Sequence, residues 1–171
     1  MSKANRDTEF NAVVAAAHGM LKLRGYSKSG ARFRRHIAGN SVIVQFQKSA
    51  WDSSESLRFT VNFAIVSCRL TRDRGGDPTK IFDPAQGHAR VRIGEFGNEP
   101  KDIWWTLDGP GSSATVVAEL LPLLERGAAY CEAHVSDDAL ASLWRLSKKS
   151  ASGAHRPNVL LGAELKTLAD E

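Results

Sequence analysis

Two cysteines in 171 residues, Cys68 and Cys131, are too few for a disulfide framework, and each sits among apolar neighbours without a second thiol nearby. The reading is of two buried, reduced thiols in a cytoplasmic protein. Long apolar runs are missing too. None approaches the roughly 20 residues a bilayer span requires, and Met1 to Asn11 lacks the basic-then-apolar order of a signal peptide. Membrane and secreted classes are therefore set aside. Catalytic signatures are also absent: there is no His-Glu-x-x-His, no Cys-x-x-Cys, no Gly-x-Ser-x-Gly and no Gly-x-x-x-x-Gly-Lys-Ser/Thr. What is present is an ordinary globular composition, 42% hydrophobic and 25% charged, with a mean hydropathy of −0.29. A chain of this length buries about 70% of its unfolded surface, so folding requires neither metal nor disulfide.

The net charge of +4 is unevenly spread. Met1 to Arg92 holds 16 Lys and Arg against 7 Asp and Glu, whereas Ile93 to Ser147 holds 3 against 9. A basic first half can steer toward an acidic partner or simply attract the acidic second half.

Hydrophobic periodicity orders the chain. Phe10, Val13, Val14, Ala17 and Leu21 mark one face of a helix from about Thr8 to Arg24, capped by Asp7 or Thr8 and stopped by Gly25. After a polar turn over Ser27 to Gly30 the period drops to two. Phe33, Arg35 and Ile37 alternate with Arg32, Arg34 and His36, and Gly39-Asn40 reads as a hairpin turn. Val42, Val44 and Phe46 continue in a second strand opposite Gln45 and Gln47. A third, Arg58 to Val66, sets Phe59, Val61, Phe63 and Ile65 against Arg58, Thr60 and Asn62. A fourth, His88 to Ile93, follows a long excursion over Thr71 to Gly87 and turns His88, Arg90 and Arg92 outward. Helices then run through Val116 to Leu124, with a kink expected at Pro122, and from Ser136 onward. The expected fold is α+β: an antiparallel sheet of about four strands with helices from both chain ends packed on one face. Residues 1–147 form one domain, and 148–171 a linker and short C-terminal helix.

Several stretches, in order, carry a resemblance. They are Leu23-Arg24-Gly25-Tyr26-Ser27-Lys28-Ser29-Gly30, Val44-Gln45-Phe46-Gln47-Lys48-Ser49 with Trp51, Phe59-Thr60-Val61-Asn62-Phe63, Arg92-Ile93-Gly94 and Trp104-Trp105-Thr106-Leu107. Over Phe10 to Leu146 the chain resembles a mainly bacterial family, the domain of unknown function 4304 family. The resemblance implies an α+β domain with no assigned reaction. The chain departs from the family pattern in the length of the Thr71 to Gly87 excursion and in the heavier charge of Arg34-Arg35-His36.

The outward strand positions supply the candidate site: Arg32, Arg34 and His36; Gln45 and Gln47; Arg58, Thr60 and Asn62; His88, Arg90 and Arg92. Guanidinium forks suit carboxylate or phosphate, and amides read hydrogen-bond patterns, so this face is a candidate for an acidic protein partner. A plain solvated outer face is the competing reading. Nucleic acid is the second partner class, but platforms for single strands need exposed aromatics, and the strand aromatics fall on the buried parity. Trp104 and Trp105 are adjacent, so at most one enters the core and the other is a candidate surface anchor, as is Trp51. Gly109-Pro110-Gly111-Ser112-Ser113-Ala114 fits a phosphate-cradling fingerprint but reads better as a capped helix start. Asp73, Asp77 and Asp83 do not have calcium-loop spacing, and five scattered histidines do not compose a zinc site. No cofactor or metal is expected. The expected function is non-enzymatic binding of an acidic protein, with nucleic-acid association or an enzyme of dispersed site as alternatives.

Overall fold

The first helix starts where Ser2 accepts the Asn5 N–H at 3.3 Å, several residues before the expected start at Thr8. This helix, α1 (Lys3–Leu23), buries the five anticipated residues, and Gly25 at φ +85° releases the chain behind it. The structure is a computed structural model that describes residues 2–50, 56–149 and 159–171. Trp51, His155 and part of the expected Ser147 to Gly153 linker lie outside the described residues.

Among the described residues seven strands form one antiparallel sheet: β1 (Ser27–Ser29), β2 (Arg32–Ile37), β3 (Asn40–Lys48), β4 (Leu57–Val66), β5 (Ala89–Arg92), β6 (Trp105–Leu107) and β7 (Leu160–Leu161). Their order is β1-β2-β3-β4-β5-β7, with β6 pairing β4 beside β5. The expected count of about four is corrected, because β1, β6 and β7 span only two or three residues and a period of two cannot be recognised over so few. The hairpin turn also sits one residue early, with positive φ at Ala38 (49°) and Gly39 (82°). Asn40 is thereby the first residue of β3, and its buried amide donates to Val135 O and Asp137 Oδ1.

The inner face carries Phe33, Val44, Phe46, Phe59, Val61, Phe63 and Trp105, all buried in one cluster with residues of α1 and of α3 (Ser112–Ala133). Rings of Phe10, Phe46 and Trp105 surround Phe59 with centroids 5.5 to 6.0 Å away. Full burial of one such side chain is worth about 2–3 kcal/mol. Pro122 does not break α3, which runs through it unbroken. Arg35, on the inner parity at the sheet margin, meets Glu132 of α3 at 3.1 Å, and Arg24 grips the same carboxylate at 2.7 Å. The helices α4 (Asp137–Lys149) and α5 (Leu165–Asp170) complete the chain, and α5 buries Leu165 and Leu168.

The outer face is partly covered. After α2 (Cys68–Asp73) the excursion makes two 3-10 turns, Pro78–Lys80 and Pro84–Gln86, capped by the Asp77 and Asp83 side chains. Its Ile81 packs on Ile43, Ala64 and Val66, which share the outer parity. Among the described residues no helix is long and apolar enough to cross a membrane.

Candidate functional site

Strand register lines up one polar row across four strands: Arg32 of β2 opposite Gln45 of β3, Gln45 opposite Asn62 of β4, and Asn62 opposite Arg92 of β5. The next row, Arg34, Ile43, Ala64 and Arg90, has arginines at its ends and apolar residues between them. Because Ile81 closes over that apolar centre, the accessible polar surface is the first row and its flanks.

These cations differ in what holds them. Arg32 donates from Nε and Nη2, both at 3.0 Å, to the Gln45 amide oxygen turned toward β2. Arg34 is consumed internally: it donates to Ser41 Oγ (3.0 Å) and Thr79 O (2.7 Å) and lies over the Phe82 ring at 5.3 Å. Arg92 pairs with Asp102 at 2.8 Å, donates to Asn62 Oδ1 at 3.3 Å, and sits 5.6 Å from the centre of the Trp104 ring. Arg58 approaches the same ring at 5.8 Å, and the Trp104 indole donates to Asp102 Oδ2. Burial raises the Asp102 carboxyl, but hydrogen bonds from Arg92 and Trp104 outweigh it and hold the group below the usual carboxylate range. Arg90 is the exception. Among the described residues its guanidinium has no ion pair, and its Nε is sealed from water without an acceptor.

Arg90 and Arg92 line an open cleft of about 690 Å³ on this face, together with Gln45, Gln47 and Asn62. Asp83, Pro84 and Ala85 of the second 3-10 turn form part of its wall. Glu95 and the Pro100-Lys101-Asp102 segment form more, as does Leu160 of β7. Among the described residues the lining includes three cations, Arg90, Arg92 and Lys101, beside three carboxylates, Asp83, Glu95 and Asp102, which come from outside the strands.

Other sequence candidates fall elsewhere. The exposed His36 has its Nδ1 3.4 Å from Ser41 Oγ, but Ser41 is 1% exposed and its oxygen accepts from Arg34, so that hydroxyl is engaged within the fold. His88, expected outward, is buried: its Nδ1 accepts the Ser67 N–H at 3.1 Å and Arg74 stands beside Nε2. Burial, then the Arg74 charge, lowers its pKa. Thr60 is also fully buried. Trp105 enters the core and Trp104 is half-buried on the outer side. The α3 N-terminus already holds an anion, since Glu9 accepts from Gly111 N and Ser113 N; this replaces the expected Ser112 or Ser113 cap. Asp77 and Asp83 cap turns, and among the described residues no three His, Cys, Asp or Glu side chains gather as a metal site. Sequence reasoning missed Glu95, Lys101, Asp102 and Leu160, and weighed Asp83 only as a cation ligand; they have no periodic signal and reach the cleft only through tertiary folding.

A family model described as Domain of unknown function (DUF4304) matches residues 17–134, more than half of the chain. The chain belongs to this family. The matched span of this DUF4304 domain contains the whole Arg32-Gln45-Asn62-Arg92 row and ends before β7 and Leu160. Comparison with curated proteins gives no match, and neither does comparison with solved structures.

Proposed function

We propose that this DUF4304 domain is a non-enzymatic binding module that takes an acidic segment of a partner protein in the outer-face cleft. The observation that carries the reading is Arg90, a half-buried guanidinium without an ion pair among the described residues, which lines the cleft beside the amides of Gln45, Gln47 and Asn62. The Nε is sealed from solvent, so it is the remainder of this half-buried fork that an incoming carboxylate would meet. Arg92 and Trp104, held by Asp102, form a rigid shoulder next to it. Arg32, Arg34 and His36 contribute less than their charge implies, since the first two are engaged by Gln45 and by Thr79 and Phe82. Nucleic acid fits less well: one ring of Trp104 lies between two guanidiniums, and the cleft wall carries Asp83, Glu95 and Asp102.

Selection of random displayed peptides against the wild-type domain, with Arg90→Glu as counter-target, tests the reading. Enriched peptides are expected to be acidic and to lose binding to Arg90→Glu. Enrichment without charge bias, or binding unaffected by the substitution, overturns it. A single-stranded oligonucleotide binding more tightly than any selected peptide, with a steep salt slope, transfers the site to nucleic acid.

A further inference from the structure

We infer that a second groove, between α1 and the β1–β2 hairpin, binds a small organic acid, with its carboxylate at the Lys28 end and a hydrogen-bonding group at the Asn11 end. This goes beyond the acidic-partner reading, because the groove shares no lining residue with the outer-face cleft. Its place follows from local folding. Gly25 at φ +85° turns the chain back after α1, so α1 supplies one wall and Lys28, Gly30 and Ala31 the other. The space between them is about 350 Å³, at the lower end of the range of small-molecule pockets.

Lys28 lies opposite Phe33 in the β1–β2 register, which puts it on the inner parity, and the Phe33 ring is centred 6.0 Å from that of His18. Lys28 and the half-buried His18 therefore stand at one end of the groove. Asn11 sits on the same helix face about two turns before His18, roughly 10 Å away along the axis. Buried Val14 lies between them, and the single methyl groups of Ala15 and Ala31 leave room for an apolar chain.

What points to a ligand is that these polar groups answer to nothing inside the protein. Among the described residues Asn11, His18 and Lys28 have neither a hydrogen bond nor an ion pair, and no carboxylate lines the groove. An ammonium at one end, with an imidazole beside it, suits a single negative charge, and the Asn11 amide can both donate to and accept from a hydroxyl. A phosphate fits less well. Phosphate sites favour guanidinium forks or the backbone N–H groups of a helix start, and the described lining holds neither.

The test follows the amide NMR spectrum of the full chain as four short-chain probes are added at neutral pH: ω-hydroxyhexanoate, ω-hydroxyhexanamide, hexanoate and ω-hydroxyhexyl phosphate. ω-Hydroxyhexanoate is expected to bind with a dissociation constant on the order of 1 mM and to shift the signals of His18, Ser29, Gly30 and Ala31. The uncharged amide should bind about tenfold more weakly, as loss of one charge-assisted pair implies, and hexanoate about threefold more weakly for want of the Asn11 contact. Lys28→Gln should abolish the preference for acid over amide, and Asn11→Ala the preference for ω-hydroxyhexanoate over hexanoate. Both side chains are exposed, and spectra unchanged away from the groove show that each variant folds. Equal binding of acid and amide by the wild type, or either preference surviving its substitution, overturns the inference. So do tighter binding of the phosphate, shifts confined to the outer-face cleft, and a spectrum that no probe changes at tens of millimolar.

Discussion

Glu9 accepts the Gly111 N–H at 2.9 Å across 102 positions of chain, and its second oxygen accepts the Ser113 N–H at the same distance. A carboxylate of α1 thus occupies the electropositive start of α3, which has no side-chain cap of its own. These hydrogen bonds, the Gly111 amide foremost, hold the Glu9 carboxyl below the ordinary glutamate range. A pKa depressed in the folded state gives stability that is present above the unfolded value and lost as pH falls through the folded one. Glu9→Gln is therefore expected to lower the thermal midpoint at pH 7 and to lose that effect in acid, below the ordinary glutamate range. Melts of both proteins at neutral and acid pH check this; an equal gap at both ends contradicts the capping role.

Asn40 ties three elements together from a side chain only 4% exposed. It donates to Val135 O (2.8 Å) and Asp137 Oδ1 (2.9 Å) and accepts the Cys68 N–H (2.9 Å), joining β3 to the starts of α2 and α4. Asn40→Ala leaves a buried carbonyl and a buried amide without partners, an expected cost of about 2–4 kcal/mol. Urea unfolding should show a lower midpoint with an unchanged slope. Asn40→Asp is expected to do worse at neutral pH, because it also sets a second carboxylate against Asp137.

The two thiols make a labelling prediction. Cys68 and Cys131 are free and buried, and burial above all pushes the Cys131 thiol far up from its ordinary value. Neither is expected to react with an aromatic disulfide reagent at mildly alkaline pH until the chain opens, while both react at once in urea. A rapid native-state burst equivalent to one thiol contradicts this.

The parts legible in the sequence are those with many repeats of one period. Phe59, Val61, Phe63 and Ile65 alternate over the longest strand, so β4 and its inward side could be read directly, and the same parity placed Arg32, Gln45, Asn62 and Arg92 on one face. Parity reports direction but not cover. Ile43 and Ala64 obey the outward alternation, yet Ile81 lies on them from a segment almost devoid of apolar residues. His88 shares the parity of Arg90 but is captured by Ser67 and Arg74, which become its neighbours only through folding. Likewise Asp102 pairs with Arg92 from a segment with no regular spacing, so a cation that reads as free is held within the fold.

Gly127 of α3 faces Phe63 so closely that a Cβ built there falls 2.4 Å from Cζ of the ring. Helix propensity alone favours Gly127→Ala by about 1 kcal/mol, since alanine restricts the unfolded chain and suits a helix interior. The contact argues the other way. Phe63 is fully buried, Phe96 packs on it edge-to-face at 5.5 Å, and a displaced ring has no room to turn without moving its neighbours. Overpacking of this kind costs about 1–3 kcal/mol or more, so the net effect is expected to be destabilising. The double variant Gly127→Ala with Phe63→Leu separates the two terms. Phe63→Leu alone removes ring contacts and should weaken the fold, but in its presence the alanine loses its clash and the helix gain reappears. The coupling energy should therefore oppose the sum of the two single effects. Additive losses in urea unfolding would place the glycine requirement elsewhere than at this ring.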